Sequence, residues 1–125
     1  MGEEKPRPLE GWLEKKTYGT LRKSFGIGNG EFQRFYVRVD EETGCLYTYS
    51  SGNTGGLAVD MIDLRMANEV VPYVRTEGGE IQADYSRFNI DIGGKVFKFK
   101  APSEKAGRKW TNGLNEWRDY FLLNM

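Results

Sequence analysis

The sequence predicts a mostly β protein, an antiparallel sandwich or barrel of seven short strands capped by one C-terminal α-helix. Two observations support this fold class. Apolar and polar residues alternate in short runs separated by Gly-bearing turns, as in half-buried strands. After Pro102 the apolar spacing changes to three and four residues, which is typical of a helix. No helix is predicted between the strands, so a parallel sheet is excluded.

The strands are predicted from this alternation and from the turns between them. Residues 32–39 alternate most clearly, and two alternating runs on either side of Gly93-Gly94 indicate a hairpin. The predicted strands are residues 12–16, 32–39, 45–49, 59–64, 69–74, 88–92 and 96–100. Residues 17–30, 50–56 and 76–86 are polar or rich in Gly, and they predict loops.

The C-terminal helix is predicted to begin after Ser103, a residue that suits an N-cap, with Glu104 in the first turn. Its apolar stripe consists of Trp110, Leu114, Trp117 and Phe121. Gly107 and Gly113 each lower the intrinsic helix stability by about 1 kcal/mol relative to alanine. We therefore expect packing against the strands to hold this helix.

The length and composition indicate one domain. A chain of 125 residues has the usual size of a single domain, and its one cysteine, Cys45, has no internal disulfide partner, so we expect a cytoplasmic protein. No apolar run approaches the roughly 18 residues that span a bilayer, so membrane contact is expected to be peripheral. Residues 1–8 are polar with two prolines and predict a flexible N-terminal tether to a domain of residues 9–123.

Several classes of function are excluded by composition. The sequence has no histidine, so the commonest acid–base group is missing and Cys45 has no imidazole to activate it. Metal sites built from His and Cys are not expected for the same reason. Zero net charge disfavours nucleic-acid binding. We therefore expect a binding module rather than an enzyme, with no metal, cofactor or nucleic acid.

Charge is distributed unevenly along the neutral chain. Residues 11–39 have six basic groups against two acids, residues 40–91 three against ten, and residues 92–125 seven against three. Such a distribution can present a positive face to an anionic partner. The alternative is that these charges are scattered over the surface.

Five segments in order resemble a pleckstrin-homology (PH) domain over residues 9–123. They are Gly11-Trp12-Leu13-Glu14-Lys15, Arg34-Phe35-Tyr36-Val37, Cys45-Leu46-Tyr47-Thr48-Tyr49, Ile62-Asp63-Leu64, and Phe97-Lys98-Phe99-Lys100-Ala101-Pro102-Ser103, which leads into Trp110 and Leu114. The resemblance implies a strongly bent sandwich, or partly open barrel, whose open end is plugged by the helix. Members of this family often bind phosphoinositide headgroups between their first strands, and others bind proteins or acidic lipid.

The resemblance also implies a phosphate site. The family has a Lys late in the first strand and, in the second, a basic residue followed two positions later by Arg; Lys15 and Arg34 match this pattern. Arg suits phosphate because its guanidinium donates two parallel hydrogen bonds. The predicted headgroup site consists of Lys15, Arg22, Lys23 and Arg34, with Lys16, Arg38, Thr48 and Lys95 as secondary candidates.

Three positions depart from the family's pattern. Phe32 replaces the first basic residue of the second strand, Val59 stands where strong binders often have Arg, and Thr48 stands where they often have Tyr. The alternative interpretation is that Lys15 and Arg34 are ordinary exposed charges on a scaffold of this type.

The first loop combines apolar and basic side chains. Phe25 and Ile27 lie beside Arg22 and Lys23, and this combination suits insertion into a lipid headgroup region where the cations hold acidic lipid. Alternatively, Phe25 and Ile27 fold back onto the barrel.

Together these features predict a monomeric signalling domain that binds reversibly to membranes. It would recognise anionic lipid headgroups, either phosphoinositide or phosphatidic acid, through its basic first hairpin. The alternative is a protein–protein interaction scaffold without specific lipid recognition.

Overall fold

A computed structural model describes residues 4–17, 31–50, 52 and 54–124. The strands are β1 Glu10–Thr17, β2 Glu31–Val39, β3 Cys45–Tyr49, β4 Asp60–Asp63, β5 Val71–Glu77, β6 Glu80–Ile92 and β7 Lys95–Lys100. A 3-10 turn, Leu64–Met66, follows β4, and the helix α1 spans Glu104–Leu123. The predicted class, a run of strands followed by one helix, is confirmed. Among the described residues, no helix is long and apolar enough to cross a membrane.

The seven strands form one antiparallel sheet in the order β4-β3-β2-β1-β7-β6-β5. β1 lies at its centre, because it pairs with β2 along its whole length and with β7 at Glu14–Lys100 and Lys15–Phe99. The two outermost strands, β4 and β5, are not paired with each other in the described sheet, which is therefore not closed.

One predicted loop is a hairpin. The sequence predicts a loop at residues 76–86, and this prediction is wrong, because β5 and β6 run through the segment on either side of Gly78-Gly79. Both glycines have positive φ, 56° and 83°, as a type I′ turn requires. Residues 74–83 of this hairpin are exposed on both faces, so the sequence has no buried stripe there to indicate them.

The core lies between the inner face of the sheet and α1. Trp110, Leu114 and Trp117 are buried as predicted, whereas Phe121 is only partly buried and stacks on Trp117 with the ring centroids 5.6 Å apart. The Ser103 hydroxyl accepts a hydrogen bond from the backbone N–H of Ala106 at 3.1 Å, which confirms the predicted N-cap. The helix therefore begins and packs where its sequence predicts.

Asn115 joins α1 to the segment that precedes β5. Its amide nitrogen donates to the Val70 carbonyl at 2.9 Å, and its amide oxygen accepts from the Val70 N–H at 2.7 Å. Val70 is buried, so removing the amide leaves two backbone groups without partners. We expect Asn115→Ala to lower the free energy of unfolding by about 1–3 kcal/mol in urea denaturation. Asn112→Ala, an exposed position on the same helix, should change it by less than about 0.5 kcal/mol; equal losses would contradict this role for Asn115.

Candidate functional site

The β1–β2 hairpin places the two best-matched site residues on opposite faces of the sheet. Side chains alternate along a strand, and residues paired across an antiparallel ladder share a face. Lys15 pairs with Gln33 on the inner face and is buried. Arg34 pairs with Glu14 on the outer face and is exposed. The structure therefore does not bring Lys15 and Arg34 together.

Lys15 already has an anionic partner on the inner face. Its ammonium forms an ion pair with the carboxylate of Asp60 and lies 5.3 Å from the centroid of the Phe97 ring. Thr48 is fully buried and pairs with Asp60 in the β3–β4 ladder. Lys95 also lies over Phe97, with its ammonium 5.0 Å from the ring centroid. Three of the predicted residues, Lys15, Thr48 and Lys95, thus share an inner site that contains Asp60.

The outer face of the sheet brings together cations from four adjacent strands. In one row across the sheet, Arg34 pairs with Glu14, Glu14 with Lys100, and Lys100 with Arg87. Lys16 and Lys98 follow the same alternation along β1 and β7, so they lie on this face too. These five cations form the outer basic face: Lys16, Arg34, Arg87, Lys98 and Lys100.

Aromatic rings lie among these cations. The guanidinium of Arg87 is 4.9 Å from the centroid of the Phe32 ring and 4.1 Å from that of Tyr73. The ammonium of Lys16 is 6.0 Å from the Phe32 centroid. Cation–π contacts of this kind attract the charged group without neutralising it. Phe32, which replaces a basic residue of the family's pattern, therefore lies between two cations from other strands.

Trp12 supports Arg34 in the same way. The Arg34 guanidinium is 4.4 Å from the centroid of the Trp12 ring, and Trp12 packs edge-on against Tyr36 with centroids 5.4 Å apart. The Tyr36 hydroxyl donates to the Glu10 carboxylate, and this hydrogen bond raises the pKa of Tyr36. Arg34 thus packs on the Trp12 ring, which is supported by Tyr36, and Tyr36 is held in place by its hydrogen bond to Glu10.

Among the described residues, the outer basic face keeps an excess of positive charge. Within the described residues, none of the ion pairs includes a member of the outer basic face; they involve Lys5, Lys15, Arg65, Arg75, Arg108 and Arg118. Three carboxylates also lie at this face. Glu14 is in the row between Arg34 and Lys100, Asp91 follows the outward alternation of β6, and hydrogen bonds from Ser86 together with the nearby charge of Arg87 lower the pKa of Asp84. Five cations against these three carboxylates leave an excess of positive charge for an anionic partner.

The remaining predicted residues are Arg38 on β2 and four residues of the first loop. Arg38 lies on the outer face about 13 Å along β2 from Arg34, is half-buried, and donates to the Tyr49 hydroxyl at 3.2 Å. That hydrogen bond raises the pKa of Arg38. Arg22, Lys23, Phe25 and Ile27 lie outside the described residues, so the roles predicted for them stay predictions.

Three members of the outer basic face are not predicted from the sequence. Lys98 and Lys100 alternate with Phe97 and Phe99, which indicates that they point away from the core. The alternation does not predict which residues lie beside Lys98 and Lys100. They lie beside Arg87 and the first hairpin because β7 pairs with both β1 and β6. Strand order is a tertiary property that spacing along the chain does not encode.

The same fold is found in solved structures, although no protein-family model and no curated protein matches this sequence. The PH domain of human TBC1 domain family member 2 is similar with a TM-score of 0.69 at 20% identity, covering 98% of this chain and 89% of that one. The C-terminal PH domain of pleckstrin, in complex with D-myo-Ins(1,2,3,5,6)P5, gives 0.63 at 15% identity, covering 88% and 93%. The Slm1 PH domain, in complex with phosphoserine, gives 0.63 at 16% identity, covering 89% and 94%. The chain therefore has the pleckstrin-homology fold that its sequence resembles.

Proposed function

We propose that this domain is a peripheral membrane-binding module for anionic lipid headgroups, phosphoinositide or phosphatidic acid, and that the outer basic face is its contact surface. The observation that supports this proposal is the set of five cations on adjacent strands, none of which is ion-paired within the described residues. Phosphate oxygens are bound by such cations, and Arg adds the geometry of paired hydrogen bonds.

The strength of binding follows from the number of cations. Each Lys or Arg near an anionic leaflet contributes about 1 kcal/mol, so five acting together give useful but salt-sensitive binding. Two solved structures of this fold hold ligands that bear phosphate, an inositol pentakisphosphate and phosphoserine, which favours the same class of ligand here. Residues 18–30 link β1 to β2, and we propose that Arg22 and Lys23 add to the positive field while Phe25 and Ile27 insert.

Charge reversal on the outer basic face tests this proposal. We expect Arg34→Glu/Arg87→Glu to weaken binding to vesicles of phosphatidylcholine with phosphatidic acid or a phosphoinositide by about 30-fold or more, because two favourable charges are lost. Co-sedimentation measures the bound fraction, and vesicles of phosphatidylcholine alone give the background. Wild-type binding should fall as salt is raised.

A matched control makes the same change of charge elsewhere. Arg65 and Arg108 are exposed and paired with their own carboxylates, Asp63 and Glu104, at 2.9 Å each. Arg65→Glu/Arg108→Glu should leave vesicle binding within about threefold of wild type, since paired surface charges contribute little. Equal losses in the two double variants, or no loss in either, would contradict the assignment of the outer basic face.

A second candidate function, a protein-interaction scaffold, is favoured by the β5–β6 hairpin. Val74 and Ile81 lie on one face of this hairpin and are 52% and 76% exposed. Exposed apolar side chains grouped on one face are typical of interaction surfaces. Two results together favour the scaffold over the membrane module. The wild-type protein binds no acidic vesicle at low salt, and it captures a protein partner that the Val74→Asp/Ile81→Asp variant does not capture.

A further inference from the structure

The inner site is a partly buried cluster with an ion pair at its centre. Lys15 is 7% exposed, and its ammonium contacts one carboxylate oxygen of Asp60. The other carboxylate oxygen accepts the backbone N–H of Met61 at 2.8 Å. Both oxygens of Asp60 are thus engaged, and its carboxylate is fixed in front of the Lys15 ammonium.

The groups around this ion pair are those that an anion would use. Thr48 is fully buried, and its hydroxyl has no hydrogen-bond partner among the described residues. Since Thr48 and Asp60 are paired in the β3–β4 ladder, the hydroxyl lies on the same face of the sheet as the carboxylate. Lys95 is exposed and shares the Phe97 ring with Lys15, so a second ammonium lies at the rim of this cluster. A buried hydroxyl without a partner is costly and indicates a site with unused binding capacity.

We propose that Asp60 is a built-in counter-ion that occupies the place of a ligand phosphate oxygen, and that this one residue determines whether the inner site binds phosphate esters. With Asp60 ionised, the cluster of Lys15, Lys95 and Asp60 has one net positive charge, and an incoming phosphate must displace a carboxylate of its own sign. The inner site therefore rejects phosphate, and anion binding is left to the outer basic face. The inference stands on the inner site alone and does not depend on the proposed membrane function.

Neutralising Asp60 should convert the inner site into a phosphate site. Asparagine has the size of aspartate and keeps an oxygen for the Met61 N–H, but it leaves Lys15 without an anion. A buried ammonium without a partner is strongly unfavourable, so an anionic ligand gains by supplying the missing charge. Lys95 and the Thr48 hydroxyl are placed to bind the remaining oxygens.

The test is a calorimetric titration with inositol trisphosphate in an Arg34→Glu/Arg87→Glu background, which suppresses binding at the outer basic face. Asp60→Asn should bind inositol trisphosphate at least about tenfold more tightly than the unmodified background. Asp63→Asn makes the same change of charge on the same strand, where the carboxylate pairs with exposed Arg65, and it should produce no gain. Adding Lys15→Gln to Asp60→Asn should abolish the gain, and amide shifts on titration should include Thr48 and Phe97.

Thermal denaturation provides a second readout if Asp60→Asn is too unstable to titrate. The variant should unfold at a lower temperature than its background without ligand, and inositol trisphosphate should raise its Tm more than that of the background. The inference is overturned if Asp60→Asn shows neither tighter binding nor this ligand-dependent rise, or if the gain persists when Lys15 is replaced. All these variants contain Arg34→Glu/Arg87→Glu, which removes binding at the outer basic face. A failure of Asp60→Asn to bind inositol trisphosphate therefore does not bear on the vesicle experiment.

Discussion

Gly107→Ala is expected to lower the free energy of unfolding by about 2–3 kcal/mol, although alanine is the better helix former. A Cβ at this position of α1 would lie 1.9 Å from the carbonyl oxygen of Tyr85 and 2.8 Å from the Cα of Ser86. Both atoms belong to the backbone of β6, so no side-chain rotation relieves the overlap and the helix must move away from the strand. Urea denaturation followed by circular dichroism measures the loss.

Gly113→Ala is the matched control on the same helix. There the added Cβ would approach Leu9 Cδ2 at 2.9 Å, which is the end of a flexible side chain. We expect a change below about 1 kcal/mol, since the gain in helix propensity offsets a small displacement of Leu9. If the two substitutions cost the same, close contact between α1 and β6 is not the reason for glycine at 107.

Trp117→Ala is expected to be the most destabilising single truncation in α1, with a loss of about 3–5 kcal/mol. Trp117 is fully buried, and its ring packs against Tyr120 and Phe121 with centroids 5.7 and 5.6 Å away. Removing the indole leaves a cavity that a helix held by its neighbours cannot fill. Chemical denaturation at constant temperature measures this loss as a lower midpoint.

Trp117→Phe separates the hydrogen bond of the indole from its volume. The Trp117 Nε1–H donates to the Arg7 carbonyl at 2.9 Å and so holds the N-terminal segment against α1. Phenylalanine keeps most of the packing and removes the donor, which should cost about 1 kcal/mol from the hydrogen bond. Amide NMR relaxation should show faster motion at Arg7 and Leu9. Unchanged relaxation there would mean that the bond does not anchor this segment.

The parts of the fold that could be predicted are those with a one-sided apolar pattern. The alternation in residues 32–39 and the stripe through Trp117 indicate a strand and a helix because one face of each is buried. The outer half of the β5–β6 hairpin could not be predicted, since residues 74–83 are exposed on both faces and have no apolar period. Helix propensity alone predicts that Gly107 weakens the helix, whereas its contact with β6 explains why no larger residue fits there.

The sequence predicts which residue types form the candidate site, but it does not predict which of their charges are free to bind a ligand. Lys15 matches a known basic pattern, yet its ammonium is already paired with Asp60, which lies 45 residues further along the chain. Arg34 also matches that pattern, and it faces the opposite side of the sheet together with Arg87 and Lys100.

The sequence by itself determined the order of the strands along the chain, the capped helix that closes the core, and the excess of cations in the first hairpin and the last strand. Only the tertiary structure decided which cations are free to bind. Lys15 is ion-paired with Asp60 on the inner face, while no cation of the outer basic face is ion-paired in the described part of the chain. The physical reason is that burial and ion pairing depend on strand order and register. These bring together residues that are far apart in the sequence, such as Lys15 and Asp60.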